Sequence, residues 1–76
     1  MVKQYQFTVI VQRDEEGSYV AICPALQGCY TEGETPEEAM AYLKDVIQLH
    51  IEDRQARNEP IYEELFSQRI EIDVAA

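Results

Sequence analysis

Gly33-Glu34-Thr35-Pro36-Glu37-Glu38-Ala39 is the stretch on which the fold turns. Thr35 suits an N-cap, Pro36 sits at the first helical position, where its missing N–H costs nothing, and Glu38 completes a capping box. Glu37 and Glu38 also complement the positive end of the helix dipole. The helix that starts here is expected to run from Pro36 to about Asn58, because Pro60 forbids much further extension. Ala39, Leu43, Val46, Ile47 and His50 recur at spacings of three and four, with Met40 and Ile51 at the edge of the stripe. Lys44, Asp45, Gln48, Glu52 and Arg54 are left for solvent. Such a helix lies across a sheet.

Upstream of it the period changes to two. Tyr5, Phe7, Val9 and Val11 alternate with Gln4, Gln6, Thr8, Ile10 and Gln12, which predicts a strand with one apolar face. Asp14-Glu15-Glu16-Gly17 is a polar hairpin turn, and residues 18–23 return as a second strand. Pairing Arg13 with Ser18 sets Val11 against Val20 and Val9 against Ile22, apolar beside apolar. Pro24 ends that strand or marks its edge, and Gly28 closes the short turn after it. Residues 29–32 read as a brief third strand at an edge.

Beyond the helix, residues 61–66 are either a loose helical turn or an extended linker. Arg69-Ile70-Glu71-Ile72-Asp73-Val74 alternates cleanly and is expected to be a fourth strand with Ile70, Ile72 and Val74 inward. The predicted class is α+β, in the order β-β-β-α-β. A right-handed return over the helix places the last strand parallel to the first, giving a four-stranded mixed sheet in the order 3-2-1-4. The helix then covers one face. Gln4, Gln6, Thr8, Gln12, Glu71 and Asp73 make the other face too polar for a second core.

With 76 residues there is room for one domain and one core, so self-association is expected to add stability, as a homo-oligomer (dimer or tetramer). Fifteen acidic residues against six basic ones give a formal charge of −9. That balance argues against direct contact with nucleic acid, which needs clustered Lys and Arg, and favours basic partners. No stretch reaches the ~20 apolar residues of a membrane span. The N-terminus shows no signal-peptide core, and two cysteines without one point to the cytoplasm.

Catalysis needs a nucleophile, a base within reach and a group that orients the base. His50, the one histidine, falls on the apolar stripe of the helix. Ser18 and Ser67 lack a glycine-flanked elbow, and no glycine-rich phosphate loop is present. Cys23 and Cys29 are not spaced as a zinc knuckle. Asp14, Glu15 and Glu16 cluster on a turn tip without the ligand spacing of a calcium loop. No metal, no cofactor and no enzymatic activity are expected.

The run Gly17-Ser18-Tyr19-Val20-Ala21-Ile22-Cys23-Pro24-Ala25-Leu26-Gln27-Gly28-Cys29, followed by Gly33 to Ala39 as quoted above, resembles the HicB family. These are the antitoxins of HicA–HicB toxin–antitoxin systems in bacteria and archaea. The resemblance extends from about Tyr5 through the helix. It implies a partial RNase H-like fold and a partner, HicA, a small basic toxin that cleaves mRNA. The antitoxin would neutralise that toxin by covering its active or RNA-binding surface. Carboxylate metal ligands that RNase H enzymes carry on the first strand have no counterpart here. Many HicB proteins add a C-terminal DNA-binding domain; this chain is expected to be a single HicB-like domain over residues 1–76 without one.

Two patches are candidates for contact. Tyr19 and Tyr30, with Glu32 and Glu34, border the turn at residues 24–28 and suit a basic partner, or else the tyrosines stabilise the sheet or an oligomer contact. Ile61, Tyr62, Leu65 and Phe66 need covering, by an oligomer contact or by the toxin. The alternative function is an orphan oligomeric HicB-like domain with another protein or ligand as target.

Overall fold

The computed structural model describes residues 3–75, so Met1, Val2 and Ala76, at the ends of the expected 1–76 unit, lie outside it. Three antiparallel strands, β1 (Ile10–Arg13), β2 (Tyr19–Ile22) and β3 (Tyr30–Gly33), form a sheet in the order β1-β2-β3. One helix, α1 (Pro36–Ala56), packs on one face, over β3 and β2 more than over β1. Ala21, Cys23, Leu26, Cys29, Ala39 and Leu43 are the buried core, flanked by Phe7, Val11, Tyr19, Val46 and Ile47.

The helix ends are closed at both termini. Thr35 Oγ1 accepts from the Glu38 N–H at 3.1 Å, while the Glu38 carboxylate accepts from the Glu34 N–H, one residue earlier than a strict capping box. At the other end Asn58 takes a left-handed φ of 55°. Its N–H bonds the Gln55 carbonyl and the Glu59 N–H bonds the Arg54 carbonyl, a Schellman closure just before Pro60.

β3 meets the helix with almost no gap. A Cβ on Gly33 would lie 2.6 Å from the Ala39 nitrogen, so only glycine fits there. Next to it the Thr31 hydroxyl donates to the Ala39 carbonyl at 2.7 Å. Gly33 is thus a packing glycine as well as a way out of the strand.

The hairpin register differs by one residue from the expected pairing. Arg13 pairs with Tyr19, Gln12 with Val20, Val11 with Ala21 and Ile10 with Ile22. The cause is the turn. Gly17, at φ 89°, allows a three-residue loop in which the Asp14 N–H reaches the Ser18 carbonyl at 2.9 Å. The Asp14 carboxylate then accepts from the Glu16 and Ser18 N–H groups, both at 2.9 Å. A one-residue slip exchanges the faces of β2. Ala21 therefore enters the core, while Val20 and Ile22 turn to the outer face.

Two further expectations are corrected. The first strand starts at Ile10 instead of Gln4, because β2 supplies no ladder partner past Ile22. Pro24, which would face Thr8, has no N–H, and the Thr8 N–H goes to the Glu64 carboxylate at 3.0 Å. Residues 69–74 form no strand, so among the described residues the sheet has three strands, not four in the order 3-2-1-4. Alternation makes a segment able to pair, but a ladder needs a partner backbone, and none lies beside this one.

Candidate protein-binding surface

The register brings two cross-strand rows onto the outer sheet face: Ile10, Ile22 and Tyr30 in one, Gln12, Val20 and Glu32 in the next. Ile10 is 42% exposed and Tyr30 61% exposed, and Val20 and Ile22 are half-buried between them. The face expected to be too polar for a second core thus carries an apolar strip with a carboxylate at its margin. A register taken from the turn length, with Gly17 left-handed, is the sequence signal that leads to it.

The four residues proposed as one contact patch are divided by the sheet. Tyr30 and Glu32 share the outer face, and Glu34 is exposed where β3 leads into α1. Tyr19 belongs to the opposite face. It aligns with Gly33, packs on the core, and has the Arg13 guanidinium 6.0 Å from its ring centre.

In residues 61–66 the polar groups dock and the apolar ones turn away. Glu63 pairs with Lys3 at 3.0 Å. Glu64 accepts both the N–H of Thr8, at 3.0 Å, and its hydroxyl. Ile61 is half-buried, whereas Tyr62, Leu65 and Phe66 are largely exposed. Ile70, Ile72 and Val74 continue the exposed apolar series, alternating with Glu71 and Asp73. This C-terminal arm stretches the molecule. Its radius of gyration is 14.7 Å, where a compact chain of this length would have about 11 Å.

Cys23 and Cys29 are buried, reduced and adjacent, at the base of the loop whose Leu26 plugs the core. Burial raises both thiols above the ordinary value, and for Cys29 the charge of Cys23 adds to the effect. Raised thiols are poor nucleophiles at neutral pH. Among the described residues no three His, Cys, Asp or Glu side chains are grouped to hold a metal ion. No helix among them is long and apolar enough to cross a membrane. The chemistry on offer is that of a surface: acidic groups beside exposed apolar ones.

A UPF0150 protein of Thermoplasma acidophilum is 45% identical over 56 residues, which are 74% of this chain and 81% of the relative. A UPF0150 protein of Synechocystis is 38% identical over 60 residues, 79% of this chain and 76% of the relative. A third, from Helicobacter pylori, is 38% identical over 47 residues, 62% and 64% of the two chains. The sequence profile of a family described as HicB_like antitoxin of bacterial toxin-antitoxin system matches residues 7–75, from just before β1 through the exposed arm. This chain belongs to the HicB-like antitoxin family.

Proposed function

We propose that the chain is an antitoxin-type binding module that neutralises a small basic, HicA-like, mRNA-cleaving toxin by covering its active or RNA-binding surface. Family membership over residues 7–75 is the observation that carries this reading. The charge of −9 supports it, because an acidic protein competes with RNA for a basic surface. Tyr30, Glu32 and Glu34 supply the combination such a partner needs, an aromatic anchor with carboxylates at its rim. The role is one of binding, not catalysis, and its setting is the cytoplasm, where the toxin meets mRNA.

The test is co-expression with a small basic HicA-like toxin, sought in the reading frames that flank this gene. A co-purifying complex and restored growth are expected, and Glu32→Lys with Glu34→Lys should weaken the complex. Absence of both complex and rescue would reject the proposal. The orphan reading, an oligomeric domain with another target, is favoured by one feature: the exposed apolar residues of the arm suit self-association without a toxin. A partial RNase H-like arrangement needs a fourth strand beside β1, and residues 69–74 are the segment we assign to that place.

A further inference from the structure

β1 pairs with β2 on one side, and among the described residues no strand occupies its other edge. Asp14 and Ser18 form a hydrogen-bonded pair, so antiparallel alternation turns the N–H and C=O groups of Val11 and Arg13 toward that empty edge. The helix leans toward β3 and leaves Val9 37% exposed and Phe7 and Val11 half-buried. Residues 69–74 are the complement of this edge. They hold three β-branched side chains in alternation, Ile70 at 74%, Ile72 at 74% and Val74 at 81% exposure, with no neighbour to cover them.

The chain's own arm comes close and stops. Glu63 on Lys3 and Glu64 on Thr8 fasten the segment beside residues 3–8. A groove of about 480 Å³ then separates Ser67, Gln68 and Arg69 from residues 8–11 of the β1 region. Past Arg69 the arm stays uncovered. An exposed edge and an unpaired strand pattern are each a liability alone.

We propose that residues 69–74 are an exchange strand: in a two-fold dimer, the arm of each copy pairs with the free β1 edge of the other and sets Ile70, Ile72 and Val74 beside Val9 and Val11. The partner is a second copy of this chain. Two arms meet two edges, so the contact closes at a dimer. Tyr62, Leu65, Phe66, Ile70, Ile72 and Val74 together offer on the order of 800 Å² per copy, the size of a standard stable interface. The fourth strand then exists in the assembly, supplied in trans. Each copy carries a charge of −9, so added salt tightens the dimer by screening.

Sedimentation equilibrium of the full chain, without any toxin, tests this independently of the antitoxin reading. The expected result is a dimer whose arm amides, residues 70–74, gain hydrogen-exchange protection at high concentration and lose it on dilution. Ile72→Lys should raise the dissociation constant about thirtyfold, as loss of a central anchor does, even though it lowers the repulsion between copies. Ile72→Val should keep the dimer. Ile72 lies outside the core, so unchanged helical circular dichroism separates a lost interface from a lost fold. A monomer at every concentration, an Ile72→Lys chain as dimeric as the parent, or arm protection that ignores dilution would each overturn the proposal.

Discussion

Leu43 and Leu65 are the same residue in the same small chain; the first is 0% exposed and the second 96%. What divides them is closure. Around Leu43, every local device finds its complement: Thr35 caps the helix, Asn58 ends it, and Gly33 lets β3 touch it. Around Leu65, the carboxylates of Glu63 and Glu64 are satisfied and the apolar groups are not. An apolar pattern states a capacity for burial, and burial follows only where the chain also supplies the opposing surface.

The largest effect should come from cutting into the closed side. Leu43→Ala is expected to cost about 2–5 kcal/mol, against a total of about 4–11 kcal/mol for a chain of this size. Leu65→Ala should change the stability of the dilute monomer by less than about 0.5 kcal/mol. Urea unfolding of both variants checks the pair, and equal losses would break the comparison. Gly33→Ala comes next, at about 1–3 kcal/mol, because its methyl meets the backbone of Ala39 and not a side chain that can move. Thr35→Ala should cost about 1 kcal/mol by freeing the Glu38 N–H, while Thr35→Ser keeps the cap.

The smallest effect concerns pH. Burial holds the Cys23 and Cys29 thiols above their ordinary value, so the unfolded chain ionises first as pH rises. This contribution to stability is whole below about pH 8.5 and declines above it, toward the folded thiol values. Thermal melting between pH 7.5 and 9.5 reads the slope, and replacing both cysteines by alanine should flatten it.

The helix was legible because its signals are local: a cap, a proline, a stripe and a second proline beyond the end all agree. The sheet was legible in kind and not in register. Counting Asp14 to Gly17 as a four-residue loop moved β2 by one position, and a period of two turns that slip into a change of face. The decisive detail, the Asp14 carboxylate holding two backbone N–H groups, lies in turn geometry that residue types only suggest. For the contact patches, Tyr30, Glu32 and Leu65 were placed at the surface by simple exposure reasoning. Tyr19 was misgrouped by the same slip. The fourth strand was read from alternation alone, which carries no information about whether its partner belongs to the same molecule.

The alternation of Glu71 and Asp73 with Ile70, Ile72 and Val74 also bears on solubility. A short, flat, apolar strand with a free edge beside it is a template for runaway stacking into fibrils. Two carboxylates at every second position make in-register stacking repulsive while leaving one apolar row intact, as gatekeeper residues do. Neutralising them, by Glu71→Gln and Asp73→Asn, should raise light scattering at concentrations where the parent chain stays clear.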